Sequence, residues 1–384
     1  MKIEDVKTIA VLGAGDMGHG IAEAALMVGY KVFLRDVKPE FVDKGVTRIN
    51  DSLAKLEAKG KIPAGSHEKI KNELLVPCVD LAEAVREADL VIEAVPEIMS
   101  LKKDIFAQVE AAAPSHALLA SNTSTMRITE IAEGLQRPAQ VLGLHYFNPA
   151  VLMKLVEVIK GEKTSEEAME IGRAFTLKNN KVPVRVEKDV PGFIVNRVQA
   201  PAGVLLNCIL DEGELDPESV DAVMRKLGMP MGPFETMDFA GLDIAAHGSA
   251  YFSQAIHPDF AIGQTIKKMV EAGLHGKKTG QGIFDWSAGR PVIDLSKATP
   301  KFDPMDMVAV NANEAMKIVE LGACRMEDVD VAIIHGTGNP MGLLALVKGL
   351  PTEDLVARLE GLAKRYNKEI FKPAAYIRAG KYRG

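Results

Sequence analysis

The chain has 384 residues, 47% of them hydrophobic and 26% charged, with a formal net charge of −6; that length suits two or three globular domains, and an acidic excess with no long basic block argues against a nucleic-acid partner. Cys78, Cys208 and Cys324 lie too far apart in sequence for a readable disulfide framework or C-x-x-C metal site. No run approaches the ~18 apolar residues of a membrane span, and no leader-like segment precedes the first apolar run, so a cytoplasmic protein away from membranes is expected.

Along the chain, an apolar strand pattern over 8–12 is followed by a helical one over 18–28 and a second strand over 31–36. Further strand patterns fall at 90–94, 117–121, 140–147, 155–159 and 182–186. Such alternation predicts a largely parallel sheet covered by helices. Between Pro39 and Leu75 the pattern is helical, over 41–59 and 67–73 around the Gly60-Lys61-Ile62-Pro63-Ala64-Gly65 turn, as for a helical hairpin inserted in the sheet domain. After Asp189-Val190-Pro191-Gly192 the strand patterns stop and the remainder reads as all-α.

The helical part carries a weak repeat: Val220-Asp221, Met229-Pro230-Met231-Gly232 and Gly241-Leu242 return as Val329-Asp330, Asn339-Pro340-Met341-Gly342 and Gly349-Leu350, about 110 residues on. The expected organisation is an α/β Rossmann-type dinucleotide-binding domain over 1–188, a first helical domain over 189–298 and a duplicated helical unit over 299–384. A structural role, as core and subunit interface, suits the repeated units.

Gly13-Ala14-Gly15-Asp16-Met17-Gly18 matches G-x-G-x-x-G and sits between the first strand and a helical pattern. Glycines there allow a tight turn, close approach of backbone N–H groups to a pyrophosphate, and close helix–strand contact. Asp36 ends the next strand, where a carboxylate can accept both ribose hydroxyls and repels a 2′-phosphate, so NAD is expected rather than NADP. Arg35 beside it softens that discrimination, and FAD and a ligand-free glycine turn stay open as lesser readings.

Three further groups carry chemistry. His145 ends an apolar strand just before Asn148-Pro149, and twelve residues on Glu157 interrupts another, sharing its face with Leu155 and Ile159. A carboxylate on an apolar face needs a partner; a His–Glu pair would supply one and make a general base, although a strand histidine is often a satisfied core residue. Ser121-Asn122-Thr123-Ser124-Thr125 follows a strand and reads either as site hydroxyls or as a helix N-cap through Ser124 or Thr125. Asn196, at the start of the helical part, could reach across a domain cleft or bridge the domains structurally.

Together GAGDMGHGIA, ASNTST, GLHYFNPA, MKLVEVIKG, DVPGFIVNR and MGPFETMDFAGLD stand in the order and approximate spacing of the 3-hydroxyacyl-CoA dehydrogenase family, which this chain resembles over about residues 7–290. The resemblance implies His145 as catalytic base paired with Glu157, with Ser124 and Asn196 near the reacting 3-oxygen. It implies Glu97, Lys102, Ser124, Asn148 and Lys278 around the nicotinamide nucleotide, and Ser52, Lys59 and Ser124 on coenzyme A. Lys55, Lys59, Lys61, Lys69 and Lys71 concentrate positive charge in the hairpin, for coenzyme A phosphates or simply for solubility.

The implied reaction is NAD-dependent oxidation of an (S)-3-hydroxyacyl-CoA, the substrate lying between sheet domain and helical part. No metal is implied. A homodimer through the helical part and a separate enoyl-CoA hydratase partner are further implications of the resemblance. Departures are Thr125 where many relatives have a second serine and the added segment from about Asp303. The alternatives are a CoA-free relative acting on a sugar acid such as gulonate, and a non-catalytic NAD-binding protein, for which the combination of His145, Glu157, Ser124 and Asn196 has no use.

Overall fold

The computed structural model describes every residue from Met1 to Gly384. Its strands are β1 (Thr8–Leu12), β2 (Lys31–Arg35), β3 (Leu75–Cys78), β4 (Leu90–Glu93), β5 (Leu118–Ser121), β6 (Val141–Tyr146), β7 (Leu155–Ile159) and β8 (Val182–Val186). The helices among them are α1 (Asp16–Met27), α2 (Pro39–Ala58), α3 (Ser66–Lys69), α4 (Leu81–Val85), α5 (Met99–Ala112), α6 (Ile128–Ile131) and α7 (Glu166–Lys178). Beyond β8 the chain is helical: α8 (Val195–Glu212), α9 (Pro217–Lys226), α10 (Pro233–Ala240), α11 (Leu242–Ala255), α12 (Gln264–Glu271), α13 (Met305–Glu320), α14 (Met326–Thr337), α15 (Leu343–Val347), α16 (Thr352–Tyr366) and α17 (Ala375–Arg378). None of them is long and apolar enough to cross a membrane.

Two compact units divide the chain: Met1–Ile194 together with Gly322–Gly342, and Val195–Leu321 together with Leu343–Gly384. The first is an eight-stranded sheet in the order β3-β2-β1-β4-β5-β6-β7-β8, parallel throughout except where β7 runs against β6. Helices cover both faces, so β6 and β7 are buried along their whole length and read as apolar runs rather than as alternation. One face packs Leu142, Leu144, Val156 and Val158 against α1 and α7 residues such as Ile21, Ala25, Met169 and Phe175. Asp80 caps α4 by accepting from Glu83 N at 2.8 Å, and Ser165 caps α7 by accepting from Ala168 N at 3.1 Å.

The expected sheet lacked β3, which pairs with β2 at the sheet edge and contains Pro77. Proline is tolerated there because an edge strand need not donate on its outer side. In the hairpin, the second helix is a short α3 that continues as a π turn over Ile70–Leu74.

The compact units do not follow the expected sequence domains. The first runs to Ile194 rather than 188, because Ile194 N donates to the buried Glu157 at 3.0 Å. Residues 299–384 do not form a unit of their own: α14 belongs with the sheet, packed on β7 and β8, and Glu187 N donates to Ala323 O at 2.7 Å.

In the second unit α8 and α13 pack together, joined by the buried Arg197–Glu314 pair at 2.5 Å. Pro201 lies inside the continuous helix α8, and the N–H of Ala202 donates to Asn311 Oδ1 at 3.0 Å. The repeat has a packing counterpart in each unit. A Cβ on Gly232 would overlap the carboxylate of Asp221, and one on Gly342 would overlap that of Asp330.

Phe175 is wholly buried beneath the sheet with its ring 5.4 Å from that of Tyr30. Phe175→Ala should lower unfolding stability by about 3–5 kcal/mol, read as a lower urea midpoint at an unchanged slope.

Candidate active site

Strand register sets the site. Leu12, Glu93, Ser121 and Gly143 are successive partners across β1, β4, β5 and β6. The turns after β1, β4 and β5 and the end of β6 therefore leave the sheet on one edge, where open α/β sheets bind ligands.

The glycine turn is built as its motif requires. Gly13 has φ +105°, and a Cβ on Gly18 would overlap the Gly13 carbonyl, so both positions are closed to larger residues. Around Gly15 a Cβ would meet open space, and no side chain caps α1 at that residue. Backbone N–H groups at the start of a twelve-residue helix are thus presented to a ligand. Asp36 Oδ2 accepts from Ala14 N at 2.8 Å and Oδ1 from Val37 N at 2.7 Å, tying the acid to the turn. Arg35 directs its Nε to Val79 O at 2.9 Å. Gly13 to Met17, Asp36, Phe41, Ala94 to Pro96 and Ile105 line a cleft of about 730 Å³. These residues fit a dinucleotide, with Asp36 on the ribose and Gly15 at the pyrophosphate.

Behind this cleft lies a buried charge network. Glu93, wholly buried, accepts from Lys102 Nζ and Val95 N, each at 2.7 Å, and from Ser121 Oγ at 2.6 Å. Lys102 also reaches Glu97 at 3.1 Å. Glu97 Oε1 accepts from Ser124 N at 2.6 Å, Ser124 Oγ at 3.0 Å and Thr123 Oγ1 at 2.9 Å. Burial alone would raise the Glu97 carboxyl; Lys102 and these hydrogen bonds outweigh it, so its pKa is lowered. The network fixes Ser124. The N-cap reading of this segment fails: the residue ahead of α6 is Arg127, and neither Ser124 nor Thr125 caps it. Thr123 Oγ1 instead accepts from Met126 N at 3.0 Å within the loop.

His145 and Glu157 are direct cross-strand partners in the antiparallel β6–β7 pair. His145 Nδ1 lies 2.6 Å from Glu157 Oε2, and the two side chains are 6% and 0% exposed. A carboxylate that is ionised only accepts, and against such a partner Nδ1 is the ring nitrogen that donates. The histidine ring is wedged between Phe147 at 4.4 Å and Phe193 at 5.8 Å. Gly192 and Phe193 both adopt positive φ, 75° and 54°, and this sharp turn aims Ile194 N at Glu157 Oε1. A non-glycine residue in that region is held there by its surroundings.

Ser52, Asn148, Asp16, His19, Arg48 and Lys55 share a cavity of about 520 Å³ with the loop Pro149 to Val151. Lys59, at the exposed end of α2, is not among its lining residues. Asn196 and Lys278 belong to the second unit. Asn196 is the second residue of α8, and Lys278 pairs with Asp243 at 2.5 Å. The loop bearing Lys278 is held by the buried Asp238, which accepts from Ile283 N, Phe284 N and Trp286 Nε1 at 2.7–3.0 Å. Sequence reasoning missed Glu93, Glu23, Lys181 and Asp238, charged residues whose burial no local pattern announces.

The fold and this edge define an architecture of the dinucleotide-binding type. The NAD-binding domain of 3-hydroxyacyl-CoA dehydrogenase matches residues 8–190, and the C-terminal domain of 3-hydroxyacyl-CoA dehydrogenase matches residues 192–286 and 306–380. The chain belongs to the 3-hydroxyacyl-CoA dehydrogenase family, and its cofactor is NAD. It is 39% identical to a 3-hydroxyadipyl-CoA dehydrogenase of Escherichia coli over 78% of this chain and 64% of that one. It is also 39% identical to a probable 3-hydroxybutyryl-CoA dehydrogenase of Bacillus subtilis, over 73% of this chain and 98% of that one. The crystal structure of an Escherichia coli 3-hydroxybutyryl-CoA dehydrogenase superimposes with a TM-score of 0.89 at 30% identity, covering 98% of both chains. Against a fatty acid oxidation complex subunit alpha of Psychrobacter cryohalolentis, 36% identical, the chain spans 50% of the relative's length, and 64% in the case of the hydroxyadipyl enzyme.

Gly18→Ala should destabilise the protein by about 1–3 kcal/mol through overpacking and abolish NADH binding, measured by calorimetric titration beside a thermal melt.

Proposed function

We propose that this chain oxidises an (S)-3-hydroxyacyl-CoA to the 3-oxoacyl-CoA, and catalyses the reverse, with His145 as general base and acid and Glu157 as its partner. The observation that carries this reading is the buried 2.6 Å His145–Glu157 pair at the edge of the sheet that also bears the glycine turn. In the oxidising direction His145 Nε2 takes the proton of the 3-hydroxyl. Glu157 stabilises the imidazolium by remaining the acceptor of Nδ1–H. When bound, NAD supplies the hydride acceptor. Ser124 orients the reacting oxygen, positioned by Glu97. Glu97 and Lys102 belong with the nicotinamide half of the cofactor in this reading, as do Asn148 and Lys278, and Asn196 with the substrate oxygen. Ser52 and Lys59 take coenzyme A.

The names of the relatives support thioesters as substrates, short or dicarboxylic in the acyl part. The name of one relative, a "fatty acid oxidation complex" subunit, supports association with other subunits; a separate hydratase and a homodimer complete the proposal on the family resemblance alone.

Turnover of NADH with acetoacetyl-CoA, run beside free acetoacetate, gulonate and NADPH, tests the reading. Turnover confined to the thioester and NADH is expected; turnover of gulonate but not of the thioester would overturn it. His145→Gln should lower turnover by ~10²–10⁴ while leaving NADH affinity unchanged, and undiminished turnover would remove His145 from its role.

A further inference from the structure

The substrate-side cavity has a buried wall that the reaction does not use. Glu23, on α1, is 1% exposed, and Ser52 Oγ donates to its Oε1 at 2.6 Å from α2. On the other side stands Lys181, 5% exposed, whose ammonium donates to Ala150 O at 2.5 Å, Met153 O at 2.7 Å and Val151 O at 3.0 Å. Ala150 and Val151 themselves line the cavity, as does Ser52. One buried acid thus bonds to one side of that cavity through a hydroxyl and, without an ion pair, feels the charge of the cation that pins the backbone of the other.

We propose that Glu23 is a positioning residue for the coenzyme A portion of the substrate, deciding through Ser52 whether the cavity wall offers the ligand a hydrogen-bond donor or only an acceptor. The inference rests on the reading that the substrate is an acyl-CoA and that Ser52 meets it. An ionised Glu23 only accepts, so it claims the Ser52 O–H and leaves the cavity nothing but Oγ lone pairs. A protonated Glu23 can donate its own O–H to Ser52 Oγ, which frees the serine proton for a carbonyl or phosphate oxygen. Coenzyme A presents acceptors of both kinds along its length. The neutral acid also removes a negative charge from beside a polyanionic ligand.

The groups facing Glu23 are Ser52 from α2 and Lys181 from the start of β8, with Lys154 acting on Lys181. Asp16, His19, Arg48, Asp51 and Lys55 line the cavity itself. Burial pushes the Glu23 carboxyl up to about 7, against the opposing pull of Ser52 and Lys181. Both protonation states are therefore populated near neutrality.

The experiment is KM for acetoacetyl-CoA and for NADH, with kcat, at pH 6 and pH 8 in the full chain. Wild type is compared with Glu23→Gln, whose neutral amide can donate to Ser52 Oγ at both pH values. The ratio of wild-type to Glu23→Gln thioester KM should rise about three- to tenfold from pH 6 to pH 8, the span of one hydrogen bond. The corresponding NADH ratio should not change. A thioester ratio equal at both pH values overturns the role of Glu23, and so does an NADH ratio that moves in parallel, the mark of a general structural effect. If Glu23→Gln does not fold, Ser52→Ala decides: the relay predicts loss of the wild-type rise in thioester KM, and a retained rise overturns it. Wild type that folds and binds NADH but turns over no thioester overturns the substrate reading, an outcome distinct from thioester turnover with a flat ratio.

Discussion

The desolvated carboxylate of Glu157 constrains the rest of the sheet unit. Strand β7 is buried along all five residues, so an ionised group in its middle loses water on every side. Such a group costs several kcal/mol unless partners replace the water. Partners from different parts of the chain do so, among them the imidazole across the strand pair and the Ile194 N–H offered by the Gly192–Phe193 turn. The bond to His145 consequently favours one register of β6 on β7, and the Ile194 N–H favours one face for Glu157. A slip by one residue would put Glu157 on the opposite face, among the Val156 and Val158 positions that pack on Leu142 and Leu144, with no His145 opposite. The geometry that suits proton transfer is the one that folding already demands.

The same logic recurs in a second buried charge network of this unit. Lys102 lies between Glu93 and Glu97, and each carboxylate also gathers hydroxyls or backbone N–H groups, so no member rests on a single bond. Networks of this kind hold loops at one geometry. Here they hold the two segments that leave the sheet edge after β4 and β5, and Ser124 is carried on the second. In the other unit Asp238 performs the corresponding task for the loop of Lys278, and Gly276 and Gly282 are required because their Cβ atoms would overlap Asp238. Glycines outside the nucleotide turn thus mark close packing on the backbone of Asp238, at Gly276, and on its buried carboxylate, at Gly282.

What could be read from the sequence follows the range of the interactions involved. Strands over 8–12, 155–159 and 182–186 have the bounds expected of them, since each is a short apolar run bordered by turns. The glycine turn and Asp36 were legible because spacing encodes them. The His145–Glu157 partnership was legible as a need: an acid on an apolar face demands something opposite, and a short return between two strands supplies it. Edge strand β3 was hidden by Pro77, and the capping role of Ser124 failed because α6 begins only at Ile128, behind Arg127, which leaves Ser124 ahead of the cap position. Glu23 and Lys181 carry no local signature at all, being charged residues on elements whose patterns are otherwise ordinary.

The repeat in the helical part bears on how such chains divide. The pairs Asp221 with Gly232 and Asp330 with Gly342 reproduce one packing solution, a helix carboxylate covered by a glycine just ahead of the next helix. The C-terminal domain model matches on both sides of the same division, at 192–286 and 306–380. We infer a duplicated unit, yet compactness does not respect its boundaries, since α14 packs on β7 and β8. The physical reason lies in the sheet. Leu155 and Ile159 share a face with Glu157, and an apolar face at the far strands of a covered sheet has to be shielded from water. The segment that covers it becomes part of the sheet's core, whatever its ancestry, so the second copy of a helical repeat here serves the burial of the strand that bears Glu157 rather than a third independent domain.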